Sequence, residues 1–326
     1  MSFLEHYVER FGRLRSDRNA QWPSIALNRS PYKPILLLSV IDLFAQGSFA
    51  ANLVVLSPEL SELFNLYCSL ILPSDRRGSI AMPFFHLSSE GFWHLVPLPG
   101  KEAVVSSGRL LRSVGLLTDN VQGAQLDDEL YALLCQEKPR EVLRTVLIET
   151  YFAPEIWQKL IEQGTINAEV FEYSLDLLEQ ARRQERPEKG TVQEERPSLI
   201  RDQGFRRAVV TAYDHRCALC GVRMLTPAGH TAVAAAHIIP WSISHSDDPR
   251  NGMALCHLCH WTFDEGLIGV SPSHIVMTSP RLAAQANVPG HLATLDGRGM
   301  IGPSERVLWP EGDSLKWHLD NVFLGH

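Results

Sequence analysis

The sequence predicts an α+β chain in two domains, a larger and mostly helical one with a single β-hairpin and a smaller one ordered as strand, long loop and helix. Three observations carry that expectation. Apolar residues recur at helical spacing through most of the first half of the chain. The segment ARRQERPEKGTVQEERPSL, residues 181–199, has almost no apolar side chain. Beyond it, two C-x2-C pairs bracket a short strand-like run, TAVAAAHIIP. At 326 residues there is room for about two domains of ordinary size, each with its own core.

Before residue 181, the apolar periodicity predicts helices near residues 3–14, 33–46, 58–71, 104–114, 126–136, 139–152 and 155–163. The stretch AMPFFHLSSEGFWHLVPL departs from that pattern. Its two aromatic-rich runs flank SSEG and predict the hairpin. Residues 181–199 cannot bury enough surface to order themselves and read as a charged linker, which bounds the domains at 1–180 and 200–326. After the linker, FRRAVVTAY predicts a helix, TAVAAAHIIP a strand leading into a loop, and CHLCHWTFDEG the opening of another helix.

Composition narrows the function classes. With 45% hydrophobic and 21% charged residues the chain is of the globular type, and no apolar run reaches the roughly 18 residues of a membrane span. PILLLSVIDLF is the longest such run, and it holds Asp42. The amphipathic start, MSFLEHYVERFGRLR, lacks the basic, apolar and small-residue regions of a secretory signal, so the expected location is cytoplasmic with no membrane partner. A formal net charge of -7 argues against a generally basic nucleic-acid coat, though not against a local basic groove. Cys68 and Cys135 stand alone in apolar surroundings and read as small buried hydrophobes.

The other four cysteines carry chemistry. Cys217 with Cys220, and Cys256 with Cys259, give C-x2-C-x35-C-x2-C, and each tight turn presents two thiolates to one ion. Four thiolates close a tetrahedral sphere, so the ion expected here is a structural Zn²⁺ that activates no water. His260 and Asp264 follow at a spacing of four, on one face of a helix. Upstream stand His237 in AAAHIIP and Asn251 in PRNGMALC.

The order His237, Asn251, His260, together with the NG after the loop and the FD-x-G after the last histidine, resembles the HNH nucleases over roughly residues 200–280. That resemblance implies a ββα-metal domain, a β-hairpin and helix around one divalent ion, Mg²⁺, Mn²⁺ or another. Phosphodiester hydrolysis needs a water deprotonated on one side of phosphorus and a cation on the leaving oxygen. His237 takes the family role of base, being able to accept a proton near neutral pH. Asn251 does not titrate and would hold the imidazole by hydrogen bonds. His260 would bind the ion, with Asp264 one helical turn on. Many such sites carry a further acid or histidine before the base, where this chain has Ala236. The competing reading of Asp264 is a helix-surface or loop-capping acid. Arg201, Arg206, Arg207 and Arg250 are candidate phosphate contacts, a solvated helix face explaining the first three as well.

In the first domain SPYKPILLLSVIDLF, then MPFFHLSSEGFWHL, then LIETYFAP look like the sulfur-recognising domain of phosphorothioate-dependent HNH restriction endonucleases, over about residues 1–165. The family uses a shallow apolar pocket for the sulfur, with basic and polar groups on the flanking phosphates. Sulfur is larger, softer and less hydrated than oxygen, so an apolar dimple can prefer it. Tyr151, Phe152, Ala153 and Pro154 are candidates for that dimple at a proline-imposed helix break. Arg76 and Arg77, leading to Pro83 and His86, and Arg29, Tyr32 and Lys33 are candidates for holding the backbone. Core packing for Tyr151 and Phe152, an exposed turn for Arg76 and Arg77, and a helix start for Lys33 are the competing readings.

Together these features predict a modification-dependent, type IV restriction endonuclease acting on backbone-modified double-stranded DNA. One site per chain against two strands predicts a homodimer. The rival enzyme reads methylated cytosine or no modification, and the rival non-enzyme is a zinc-dependent DNA-binding protein whose site has decayed. The C-terminal GMIGPSERVLWPEGDSLKWHLDNVF is either an add-on to the nuclease domain or a dimer contact.

Overall fold

The computed structural model describes residues 2–325 other than 20, 75, 77, 108–110, 112, 185–195, 227, 228, 285 and 286. The chain forms two compact units, Met1–Ala168 with Thr226–His230, and Glu169–Leu225 with Thr231–His326. The division falls inside a helix, ahead of the compositional break at 181. Most of that break lies outside the described residues.

The first unit contains helices α1 (Phe3–Gly12), α2 (Tyr32–Ala45), α3 (Pro58–Ile71), α4 (Ala81–His86), α5 (Glu102–Ser106), α6 (Val114–Thr118), α7 (Asp128–Leu134) and α8 (Glu137–Tyr151), with the start of α9 (Pro154–Arg182) and strands β1 (Trp93–Pro97) and β2 (Val121–Leu126). Local chemistry sets several starts. Ser2 and Glu5 close a capping box on α1, and Ser57 accepts from Leu60 N ahead of Pro58 in the first turn of α3. α2 is buried from Lys33 to Phe44, which explains its continuous apolar run: it is the central core helix. Among the described residues no helix is long and apolar enough to cross a membrane.

Asp42 lies within that helix, fully buried. Its carboxylate accepts from Arg144 Nη1 at 2.6 Å, Asn167 Nδ2 at 2.6 Å and Tyr67 OH at 2.9 Å. Burial pushes the Asp42 carboxyl pKa up, and the Arg144 guanidinium opposes that shift. The network ties α2 to α3, α8 and α9, so it specifies how the helices assemble as well as satisfying the charge.

The predicted hairpin is corrected. AMPFFH is helical, followed by a 3₁₀ turn over Leu87–Glu90, and only the second aromatic run is a strand. β1 pairs antiparallel with β2, Trp93 opposite Leu126. Pro83 falls in the first turn of α4, where backbone N–H groups have no helical partner to lose, so the proline fits a helix start better than a ladder. The two aromatic runs do meet, but by packing: Phe84 sits edge-on to Trp93 with centroids 5.0 Å apart. The helix expected over 155–163 extends to Arg182; of the one expected over 104–114, the described residues show α5 at its start and the beginning of α6 at its end, positions 108–110 and 112 lying outside the described residues. Cys68 is buried, whereas Cys135 at the end of α7 is exposed.

The second unit holds the rest of α9, then α10 (Ser198–Ala212), β3 (Val233–His237), α11 (Trp241–Ser244), β4 (Gly252–Cys256), α12 (His257–Asp264), β5 (Ile268–Val270), β6 (Val276–Thr278) and α13 (Gly312–Asn321). β3 and β4 pair antiparallel from Val233 opposite Cys256 to His237 opposite Gly252. α10 packs on this hairpin at its far end: a Cβ on Gly252 would come within 2.8 Å of Phe205 and Val209, so the NG glycine is required by close approach. Gly266, in the left-handed region at φ +68, ends α12, and a Cβ there would meet Val322 O at 2.1 Å. α13 packs against β5, and its His318 stacks on Phe263 of α12 with centroids 3.7 Å apart. The C-terminal extension is therefore an integral layer behind α12.

Candidate functional site

The four paired cysteines converge. Their sulfurs all lie within 4.8 Å of one another, Cys217 and Cys259 buried and the other two half-buried. Cys217 N donates to Val222 O, closing the first turn, and Ala218 N donates to Ala254 O, docking that turn on β4. Cys256 ends β4 and occupies the N-cap position of α12, and Cys259 lies one turn in. A zinc-sized ion held by thiolates at about 2.3 Å separates tetrahedral sulfurs by about 3.8 Å. Cys220 and Cys256 stand 3.7 Å apart, so the residues fit such an ion. Crowded thiols share protons unequally: hydrogen bonds from Cys220 and Cys259 lower the Cys217 pKa, and bonding to that sulfur raises those of Cys220 and Cys259. A bound cation resolves the competition by favouring thiolate at all four.

His237, Asn251, His260 and Asp264 occupy the strand ends and the following helix. His237 closes β3, its side chain 22% exposed and its ring stacked on Phe205 at 3.8 Å with planes 7° apart. Its Nε2 lies 3.1 Å from Asp247 Oδ1. Asn251 Oδ1 accepts from Ile239 N at 3.0 Å, its Nδ2 donates to Ile239 O at 2.9 Å, and its carbonyl accepts from Ile238 N at 2.9 Å. Backbone and side chain of Asn251 together act as a strand partner for the two residues after His237, so the chain leaves β3 in one direction. On α12, His260 Nε2 is 3.5 Å from Asp264 Oδ2, close enough for both atoms to sit about 2.1 Å from one ion. Burial raises the Asp264 carboxyl pKa, opposed by His260. Ala236 is buried in the hairpin and offers no donor. Among the described residues the four cysteines are the one group of three or more His, Cys, Asp or Glu close enough to hold an ion, while His260 and Asp264 form a pair.

Sequence reasoning missed Asp247, which is 1% exposed and touches His237 directly. The available signal was DDPRNG, an acid four residues before Asn251. It also over-read Arg250. That guanidinium is buried, bonded to Asp248 through Nε and Nη2 and 3.1 Å from Glu311, so two carboxylates consume its charge before any phosphate can. On α10, Arg207 lies 4.9 Å over the Phe171 ring and Arg206 is half-buried.

The first unit carries a cleft of about 580 Å³ lined by Arg15, Ser16, Asp17, Trp22, Ser30, Tyr32, Lys33, Met82, Pro83, His86 and Ser89. Four sequence-predicted residues, Tyr32, Lys33, Pro83 and His86, meet there. Trp22 stands edge-on to Tyr32 at 5.4 Å, and the Arg76 guanidinium covers the outer face of Trp22 at 4.7 Å. Lys33 is buried and ion-paired with Glu90. Arg29 is half-buried, bridged through its backbone to Arg18 and outside this lining. Arg77 lies outside the described residues. The dimple expected at TYFAP is corrected for its two rings. Tyr151 and Phe152 are core residues at 2% and 1% exposure, the Tyr151 hydroxyl accepting from Leu14 N at 2.6 Å. The apolar periodicity of α8 runs to its last residue and draws both rings inward. Only Ala153, half-buried, and Pro154, exposed, reach the surface.

Comparison with known proteins gives two family matches. The ScoMcrA-like DNA sulfur-binding domain matches residues 4–168, just over half of the chain. The HNH endonuclease family matches residues 217–271. A solved structure, a modification-dependent TagI restriction endonuclease, is 22% identical with a TM-score of 0.28, over 36% of this chain and 37% of that one. The chain thus spans little more than a third of that structure's length. No curated protein matches.

Proposed function

The chain belongs to the ScoMcrA-like DNA sulfur-binding domain family, and from that premise we propose that it is a modification-dependent DNA endonuclease of the type IV restriction class. Its first unit would read phosphorothioated DNA and its HNH unit would hydrolyse phosphodiester bonds nearby. The observation that carries the catalytic half is the hydrogen-bonded His237 at the strand end, beside a loop clamped by Asn251 and followed by a helix bearing His260 and Asp264.

In this reading His237 takes the proton of the attacking water. Asn251 keeps the imidazole in place by pairing with Ile239 at both backbone atoms. His260 and Asp264 would hold a divalent ion, Mg²⁺, Mn²⁺ or another, which when bound supplies positive charge to the leaving oxygen. With Ala236 silent, its other ligands would be waters and the phosphate itself. Cys217, Cys220, Cys256 and Cys259 would hold a structural Zn²⁺. Trp22, Tyr32, Met82 and Pro83 give the first unit's cleft soft walls, with Arg15 and His86 at hand for phosphate oxygens. That combination suits a phosphate in which sulfur replaces one oxygen. We further propose a homodimer, since two strands must be cut, and action in the cytoplasm.

The test incubates the full chain with matched phosphorothioated, methylated and plain duplexes and Mg²⁺ or Mn²⁺, alongside His237→Ala. Cleavage of the phosphorothioated duplex alone, lost in His237→Ala, is expected. Equal cleavage of all three removes the sulfur reader, and cleavage confined to the methylated duplex favours the base reader.

A further inference from the structure

The carboxylate of Asp247 is almost wholly enclosed and has three neighbours with distinct chemistry. Its Oδ1 lies 3.1 Å from His237 Nε2, and its Oδ2 accepts from the Tyr173 hydroxyl at 3.0 Å. Arg201 Nε stands 3.7 Å from the same Oδ2, its guanidinium fixed 3.5 Å over the Trp241 ring. The groups around the imidazole thus come from three elements: Tyr173 from α9, Arg201 and Phe205 from α10, and Asp247 from the loop before Asn251.

We propose that Asp247 is a positioning residue that fixes His237 as the Nε2–H tautomer, with Tyr173 and Arg201 deciding which oxygen faces the ring. The inference rests on the nuclease reading above. A carboxylate only accepts, so His237 Nε2 must donate to it, which leaves the Nδ1 lone pair as the basic site. The stack on Phe205 prevents the ring from tilting away. In the reaction, a water O–H bond breaks and its proton goes to Nδ1. The water oxygen forms a bond to phosphorus while the bond from phosphorus to the leaving sugar oxygen breaks, and that oxygen takes a proton from solvent. Without the fixed tautomer, Nδ1 would carry the hydrogen and could accept nothing.

The arrangement makes Asp247→Asn an informative change although it alters no shape. Arg201 has donors and no acceptor, so the amide oxygen must take the place of Oδ2 and the amide NH₂ must face His237. Nε2 is then forced to accept, and the ring switches to Nδ1–H. In the full chain with Mn²⁺ and phosphorothioated duplex, kcat should fall by about 10²- to 10⁴-fold, the range supplied by a positioned base. KM for DNA and metal content should stay at wild-type values. Histidine ¹⁵N shifts of His237 should move from the Nε2–H to the Nδ1–H pattern. A wild-type kcat, or an unchanged Nε2–H pattern, overturns the proposal. If Asp247→Asn fails to fold, Tyr173→Phe substitutes: it frees the carboxylate to rotate and should lower kcat several-fold at constant KM, whereas an unchanged kcat counts against the proposal. His237→Ala in parallel separates the two levels. Cleavage surviving there sinks the assigned base, while the tautomer readout tests Asp247 without any cleavage.

Discussion

Acid should loosen the C-terminal unit through His318. This residue, on α13, is 2% exposed, stacks on Phe263 and places Nε2 3.0 Å from Phe263 O. A carbonyl only accepts, so Nε2 carries the hydrogen, and Nδ1 is buried without a partner. Burial holds the imidazole pKa down at about 4 against an ordinary 6.5, the Phe263 carbonyl opposing weakly. Above pH 6.5 neither folded nor unfolded chain protonates the ring and stability is complete. Between 6.5 and 4 the unfolded chain takes up a proton that the folded chain refuses, so stability falls with pH, and below 4 the loss is complete. A difference of about 2.5 pKa units amounts to about 3 kcal/mol in all, about 2 of it reached by pH 5. His318→Gln keeps a donor for Phe263 O and does not titrate. Urea unfolding read by pulse proteolysis of the C-terminal unit, at pH 8, 6 and 5, should show this loss in wild type and not in the variant. Thiol protonation at the cysteine cluster contributes equally to both proteins and cancels in the comparison. The same decline in both would mean that His318 protonates freely in the folded state, refuting the reasoning.

Three further outcomes are expected. Arg144→Met strands the buried Asp42 carboxylate and should destabilise the first unit by about 3–5 kcal/mol in urea titrations, while Asp42→Asn with Arg144→Met should recover part of that loss. Cys256→Ala should lower bound zinc from about one per chain, measured by mass spectrometry of the metal, while His260→Ala leaves it unchanged; equal loss would merge the two sites into one. Met82→Ala should weaken binding of a phosphorothioated duplex about tenfold, about 1.4 kcal/mol, and leave a plain duplex unaffected in fluorescence anisotropy.

The chemistry-bearing half of the chain was legible because its signals are local and directional. A C-x2-C turn and a His/Asp pair at spacing four announce their own geometry, and the NG glycine marks the place where Phe205 and Val209 press on the backbone. The reader half was less legible, since a cleft is made by segments far apart. Trp22 belongs to none of the quoted motifs, and it lines the cleft with Met82 only because the loop after α1 and the start of α4 come together there. Tyr151 and Phe152 misled for a related reason. A proline break says where a helix stops, and the burial of the rings before it is decided by the core they face. The aromatic runs around SSEG were read as a ladder because alternation and edge packing leave the same composition. Arg250 shows the limit for charges: Asp248 is visible two residues away, but Glu311 arrives from the far end of the unit.

Cys256 joins the two halves of the proposed nuclease site. It ends the strand paired with β3 and is the N-cap residue of the helix that carries His260, without any side-chain cap hydrogen bond of its own. The Asn251 clamp lies just before the opposite end of β4, five residues earlier, where it fixes the exit of His237. The five residues of β4 therefore space the proposed base from the proposed metal ligand, with a hydrogen-bonded clamp at one end and a thiolate cluster at the other. Loosening the cluster leaves His237 held by Asn251 but frees the entry angle of α12. Cys256→Ala should accordingly leave the His237 tautomer unchanged while it abolishes cleavage, separating the order of the base from the order of the helix. A changed tautomer in that variant would mean that the hairpin depends on the metal as a whole.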